Sequence, residues 1–268
     1  MTRGLQKTAA GVFLLLAVFS LAGAWGDAAT LQNREAIARP PSAQFPLGTD
    51  ELGRDRLARL MQGTRVSLLL APAAALLSTL LAAAIGGVAG YLGGRLDRAV
   101  LVIADLFLSL PWLLLLLAVR ALLPLNTSAM ASVLLTFLLL GCLGWANPGR
   151  MLRAAARTAA NSDYLLHARA CGVSDWRLFW RMLVPNLVPI LLAQFWIAVP
   201  VYVLSEANLG LLGLGVSEPL ASLGSLLREL ANYSALSQNP VVFAPVAVLV
   251  TLAGCLHLLV NQETTSSC

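Results

Sequence analysis

The sequence predicts an all-α polytopic membrane protein with about six transmembrane helices. Three observations carry that reading. Of 268 residues, 58% are hydrophobic and only 12% are charged, where a soluble domain carries about a quarter charged; the mean hydropathy is +0.78. The apolar residues are gathered into separate runs that approach or exceed the roughly 20 residues needed to cross a bilayer. The arginines sit at the ends of those runs and concentrate in one interval, 148–186, the distribution that the positive-inside rule associates with cytosolic loops. The net charge of +5 is therefore spread over membrane boundaries and forms no stripe of the kind that binds nucleic acid.

Taken in order, Arg3 and Lys7 precede an apolar run from Thr8 to Trp25. Ala22-Gly23-Ala24 has the small-residue pattern of a signal-peptidase site, but the length of the run favours a retained first helix, 1–25. Residues 26–65 are polar, with charges of both signs, and form an extracytoplasmic segment. Pro40, Pro41 and Pro46 favour extended chain, and Leu57, Leu60 and Met61 share one face of a short amphipathic helix over Asp55–Gln62. The second span, Val66–Leu92, is rich in small residues, and Gly86, Gly87 and Gly90 offer surfaces on which another helix can pack closely.

A polar stretch, 93–98, leads into the third span, Ala99–Leu123, which Pro111 is expected to kink. Asp105 lies near its cytosolic end. An acid inside a span is a functional candidate by default, for instance as a proton relay; with the next acid in a span as far away as Glu206, a structural hydrogen bond is the favoured role. A turn at 124–129 precedes the fourth span, Met130–Ala146. The polar interval that follows holds Arg150, Arg153, Arg157, Arg169, Arg177 and Arg181 against Asp163 and Asp175, which places it in the cytosol. Counting spans from there puts both termini, Arg95 and Arg98 in the cytosol and 26–65 outside. The fifth span is Leu187–Leu204. The closely spaced glycines of Glu206–Val216 then predict a tight apolar segment folding back at the outer surface, a backbone that survives at membrane depth only when covered by protein or lining a cavity. Ser217–Asn239 is an outer loop, Pro240–Val260 the sixth span and 262–268 a short tail, so 66–261 forms the membrane core.

The interval Asn161–Pro189 is the one long polar stretch in the second half of the chain. Tyr164–Cys171 can make two helical turns that Gly172 ends. Ser174 or Asp175 can cap a second helix carrying Trp176, Phe179, Trp180 and Leu183 at helical spacing, and Pro185 and Pro189 flank the start of the next apolar run. A bent, arginine-decorated knob between two spans suits docking into a groove on a soluble partner. A loop lying on the lipid interface, where Trp and Arg are at home, fits the same residues.

This stretch resembles the coupling loop of ATP-binding-cassette importer permeases at Ala168, Gly172, Ser174-Asp175-Trp176-Arg177 and Pro185-Asn186; Leu166 and His167 stand where that family often has Glu and Ala. Leu47-Gly48-Thr49-Asp50-Glu51-Leu52-Gly53-Arg54-Asp55, followed by Thr64-Arg65-Val66-Ser67-Leu68, is similar to the second membrane subunit of dipeptide, oligopeptide and nickel importers. Glu206–Val216 is similar to a segment near the outer gate of the family, with Gly210 and Leu211 for its usual Ser and Phe and Leu223 for its usual Trp. The resemblance spans roughly Phe45–Val260 and implies the MetI-like fold of a type I importer permease in the cell inner membrane. It further implies a chain that forms half of a translocation path for di- or oligopeptides or a related small solute, in contact with membrane lipid. Its partners would be a second homologous permease, two ATP-hydrolysing subunits and an extracytoplasmic substrate-binding protein. Coupling to the ATPases would run through Leu166, His167, Ala168, Gly172, Ser174, Asp175, Trp176, Arg177 and Pro185. Asp105, Glu206, Leu212, Gly213 and Gly215 are the candidates for the path or its gate.

Enzymatic chemistry is not expected of the chain itself. No Gly-rich phosphate loop ending in Lys and Ser/Thr occurs, so ATP would bind to other subunits. His167 and His257 have no partner at metal-ligand spacing, and Cys142, Cys171, Cys255 and Cys268 have neither metal nor disulfide spacing. Ser67 and Ser109 lack a nearby base. No cofactor, metal or catalytic residue is assigned. Two other functions fit the composition: an ion-coupled secondary transporter, which needs intramembrane charges and discontinuous helices in repeated halves, and a non-transporting membrane assembly or sensing subunit.

Overall fold

The protein is described by a computed structural model covering residues 2–22, 29–124, 128–231 and 240–266. Regular structure among these residues is helical, apart from one bridge between Thr49 and Asp55. Four stretches are long and apolar enough to cross a membrane: Arg56–Leu92, Ala129–Ala160, Asp175–Leu211 and Pro240–Leu259. The pair α4 (Gly94–Ser109) and α5 (Trp112–Leu122), bent by 91° at their junction, makes a fifth when the two are taken as one span. The break falls at Leu110-Pro111, where the proline ring removes a donor and pushes the preceding residue into extended backbone. The N-terminal helix, α1 (Thr2–Ala22), has a shorter apolar stretch, Lys7–Leu21. Gly23 and Ala24 of the peptidase-like site, the middle of the 124–129 turn, residues 232–239 of the outer loop and the last two residues of the tail lie outside the described residues.

Three expected boundaries move. The short helix at Asp55–Gln62 is not separate: it forms the first turns of α2 (Arg56–Ala82), because an isolated glycine, Gly63, weakens a helix without ending it. The polar interval begins as helix, α7 (Ala146–Ala160) following α6 (Ala129–Leu143). The segment expected to fold back from Glu206 stays helical to Leu211, within α10 (Val184–Leu211); only the residues beyond Leu211 turn.

The chain divides into two compact units. One comprises Met1–Ala71, Leu117–Phe137 and Val199–Cys268. Within it, α1 packs along the last helix, α12 (Ala244–Ser266), and Arg65 donates from Nε and Nη2 to the Ser20 carbonyl at 3.0 and 2.7 Å. A short helix, α11 (Leu223–Leu227), starts with a reciprocal Ser222–Ser225 capping box, which satisfies amides that the first turn leaves open. It lies so close to its neighbours that a Cβ on Gly63 would be 2.9 Å from the Ser222 backbone, and one on Gly210 would be 2.2 Å from the Gly224 backbone.

The other unit comprises Pro72–Leu116 and Leu138–Ala198. It contains the end of α2, a π-turn at Ala83–Gly87, α3 (Val88–Leu92) and α4 (Gly94–Ser109). It also contains the hairpin helices α8 (Asp163–Ala170) and α9 (Asp175–Leu178). Ala82, Leu152, Ala156, Leu183 and Leu187 form its buried centre. The glycines of the second span do pack closely. A Cβ on Gly86 would be 2.2 Å from the Gly149 carbonyl oxygen, and one on Gly90 would be 2.3 Å from that of Arg153. Many leucines on the span surfaces, Leu76, Leu80 and Leu138 among them, are exposed, as helices facing lipid require.

Candidate coupling hairpin and charged basin

The hairpin 162–178 owes its shape to one glycine. α8 ends in a Schellman pattern: the Val173 amide donates to the Ala168 carbonyl at 3.2 Å and the Gly172 amide to the Arg169 carbonyl at 3.0 Å. Gly172 holds φ +82° with nothing within 4 Å of where its Cβ would lie, so the requirement is for backbone angle and not for space. Ser174 takes the N-cap position of α9 in extended backbone, without a side-chain cap bond. A π-turn at Phe179–Leu183 joins α9 to α10. Pro185 follows it, a residue that cannot donate to the carbonyl one turn back and whose ring crowds that carbonyl, which favours a locally widened helix.

One side of the hairpin is fastened and the other is bare. Leu165, Leu178 and Leu183 are buried. Tyr91, on α3, donates to Asp175 Oδ1 at 3.2 Å, and Arg169 reaches both the Tyr91 hydroxyl (3.3 Å) and Asp175 Oδ1 (3.1 Å). The Tyr91 ring meets Phe179 edge-on at 5.3 Å, and Asn186 donates to the Tyr164 hydroxyl at 2.8 Å. Leu166, His167, Gly172, Ser174, Asp175, Trp176, Arg177 and Pro185 are exposed and Ala168 is half-buried. Trp176 is 74% exposed, and it packs edge-on against Trp180, itself exposed, at 5.5 Å.

Behind the hairpin, Asp97 is buried and serves as the common acceptor of two arginines on α7: Arg153 through both carboxylate oxygens and Arg157 through Oδ2. Neither Tyr91 nor Asp97 was singled out by the sequence reading. The available signal for Asp97 was a lone acid between Arg95 and Arg98, facing a run of arginines spaced one helical turn apart. Asp105 pairs with Arg150 at 3.0 Å, both groups being about half exposed; it is the one path candidate in the second unit.

The other candidates lie in the first unit. Glu206 is fully buried. Its Oε2 accepts from the Ser67 hydroxyl at 3.5 Å and the Gly224 amide at 3.4 Å, while Oε1 has no hydrogen-bond partner among the described residues. α10 stops by the same device as α8: Leu214 N–H donates to the Leu209 carbonyl and Gly213 N–H to the Gly210 carbonyl, both at 2.9 Å, with Gly213 at φ +76°. Leu212 is exposed, and Gly215 folds back so closely that a Cβ there would be 2.6 Å from Gly210 Cα.

The same unit carries an unexpected basin of charge. Asp50 builds its floor: Oδ1 accepts the Leu52 and Arg54 amides at 3.0 and 2.8 Å, and Oδ2 pairs with Arg54 Nε at 2.7 Å. Glu218 then accepts from Arg54 and, at 3.0 Å, from Arg59 Nη2. Arg59 is 2% exposed, whereas the Glu218 side chain is 57% exposed. Burial pushes the Glu218 carboxyl up, but Arg59 and Arg54 more than offset this and hold it below the usual carboxylate range. Glu229 faces Arg56 at 3.3 Å. There burial dominates, and its carboxyl stands above that range.

Residues 82–262 match the family of binding-protein-dependent transport system inner membrane components. The chain belongs to that family. It is 33% identical to the oligopeptide transport system permease protein OppC of Mycobacterium tuberculosis, over 83% of this chain and 75% of that one. It is also 33% identical to the dipeptide transport system permease protein DppC of Bacillus subtilis, over 82% and 68% of the two chains. With the glutathione transport system permease protein GsiD of Pectobacterium atrosepticum it shares 28% identity, over 91% and 80%. The fold is thus the all-helical one of these ATP-binding-cassette permeases, and the protein is a multi-pass inner-membrane component of an importer.

Proposed function

We propose that this permease forms half of a translocation path for short peptides or a related small solute, and that the hairpin 162–178 transmits the ATPase cycle to it. The observation that carries this reading is the asymmetry of the hairpin. An aromatic and basic face around Trp176 and Trp180 is left bare, while on the other side Leu165, Leu178 and Leu183 are buried and Phe179 meets the Tyr91 ring of α3. A rigid, half-bare knob suits a soluble partner that pushes on it. The partners would be a second permease, two ATPase subunits and an extracytoplasmic receptor. The arginine-rich interval and both termini would lie in the cytosol, with 26–65 outside and 66–261 as the membrane core.

Closure of the ATPase pair would load the hairpin, and α10, continuous with it through the π-turn, would carry the displacement to the segment around Glu206 and Gly213. Such loading shifts a two-state equilibrium only through contacts that differ between the states. Leu166, His167, Trp176 and Arg177 would meet the ATPase; Gly172 and Asp175 would set the shape. Asp105, ion-paired at the surface with Arg150, gives little support to a proton relay. The test is peptide uptake in cells lacking their own permease. Gly172→Pro and Asp175→Arg should abolish uptake with the protein still inserted in the membrane. Normal uptake by either variant would overturn the coupling role.

A further inference from the structure

The charged basin of the first unit is a recess of about 370 Å³, within the roughly 300–1,000 Å³ of small-molecule sites. Arg54, Arg56, Arg59 and Arg228 contribute the positive side of its lining. Asp50, Glu51, Glu218 and Glu229 contribute an equal number of carboxylates. A plain anion or cation entering such a recess loses to one set of groups what it gains from the other. A solute carrying both charges a few ångströms apart can meet a group of opposite sign at each end, which offsets part of the hydration it gives up.

The bonding in the basin is incomplete on the donor side. Arg54 and Arg59 share the half-exposed Glu218. Among the described residues the buried Nε groups of Arg56 and Arg59 have no hydrogen-bond partner, although Arg59 Nε lies 3.7 Å from Asp50 Oδ2; the donor capacity a solute could reach is that of Arg228. Arg228 lies at the edge of the recess, exposed, over Gly213, and has no ion pair among the described residues. Guanidinium groups of this kind take carboxylates in paired hydrogen bonds. At the mouth, Glu218 is 57% exposed with Arg54 and Arg59 on its two oxygens, and a carboxylate so engaged keeps further lone pairs for an ammonium.

We infer that this basin is a holding site for a zwitterionic solute, a short peptide with free termini, whose carboxylate meets the arginines around Arg228 and whose ammonium meets Glu218. The site rests on the importer reading for its place on the outer side of the membrane, and it adds a point at which this chain itself discriminates solutes.

The probe is radiolabelled alanyl-alanine, with its N-acetyl, C-amide and doubly blocked forms, bound to the purified full chain in lipid nanodiscs. Saturable binding of the free dipeptide is expected, weakened about tenfold or more by blocking either terminus, as loss of a charge-assisted bond implies. Arg228→Gln, outside the ion-paired floor, should weaken binding about as much while leaving the unfolding temperature unchanged. No saturable binding, equal binding of the doubly blocked peptide, or an unaffected Arg228→Gln variant would each overturn the site. Because the assay contains no ATPase, failure here is separable from failure of the coupling role.

Discussion

Replacing Gly86 by alanine tests the packing of the second unit most sharply, since an adjacent glycine supplies the control. A Cβ on Gly86 would lie 2.2 Å from the Gly149 carbonyl oxygen, about 1 Å or more inside ordinary C···O contact. The obstacle is backbone, so no rotamer relieves it, and the helix surface carrying Gly86 must move away from α7. Overpacking of this kind costs about 1–3 kcal/mol. The displacement would also loosen Leu152 and Ala156, which are buried on α7. One residue on, a Cβ on Gly87 meets nothing nearer than Leu187 Cδ1 at 3.7 Å. Gly87→Ala should therefore gain most of the roughly 0.5–1 kcal/mol that alanine offers over glycine within a helix. The two variants should differ by about 2 kcal/mol or more in denaturant unfolding of the purified chain in mild detergent. If Gly86→Ala proved as stable as Gly87→Ala, the close helix approach would be wrong.

Other predictions follow the same logic. Gly172→Ala should cost about 1–2 kcal/mol of left-handed backbone strain, seen as faster amide exchange confined to 168–174, because nothing surrounds the new methyl group. Asp97→Asn strips two arginines of their common acceptor; about 3 kcal/mol should be lost, the low end of the range for a broken buried pair, because Arg157 is half exposed. Adding Arg153→Gln should recover part of it in a double-mutant cycle. The two basin glutamates should behave oppositely with pH. Glu218, its carboxyl held low, contributes stability that is full above the usual carboxylate range and is lost as pH falls through its lowered value. Glu218→Gln should thus destabilise at pH 7, with the difference vanishing in acid. Glu229, raised by burial, carries a cost that develops as pH rises from the usual carboxylate range through its raised value; Glu229→Gln should be neutral or stabilising at pH 7 and indistinguishable from the parent in acid. Unfolding curves across pH check both signs.

What could be read from the residues was local or periodic. Gly172 as a stop, Pro111 as a break and the small-residue face at Gly86 and Gly90 each follow from the backbone chemistry of one residue or from helical spacing. Helix ends were harder to read. Gln62 to Val66 holds no proline and a single glycine, Gly63, which a helix tolerates, so the change in hydrophobicity marks a boundary that the backbone ignores. Glycines 210, 213 and 215 look alike in sequence, yet only Gly213 takes the left-handed angle that ends α10, while Gly210 and Gly215 serve close approach. The sites were least legible where they depend on distant partners. Arg54 and Glu218 are separated by 164 positions and Tyr91 and Asp175 by 84, and nothing local dictates which acid meets which base. The ladder of arginines on α7 gave a topology but not its common acceptor, Asp97.

The most direct measurement of the coupling claim is affinity purification of the full chain from its native membrane in mild detergent, followed by identification of the proteins that accompany it. A second multi-span permease and ATPase subunits bearing phosphate-binding loops should be recovered, and Gly172→Pro should lose the ATPases while retaining the permease. Recovery of the chain alone or only with copies of itself, at every detergent strength, would contradict the claim, as would undiminished ATPase recovery with Gly172→Pro.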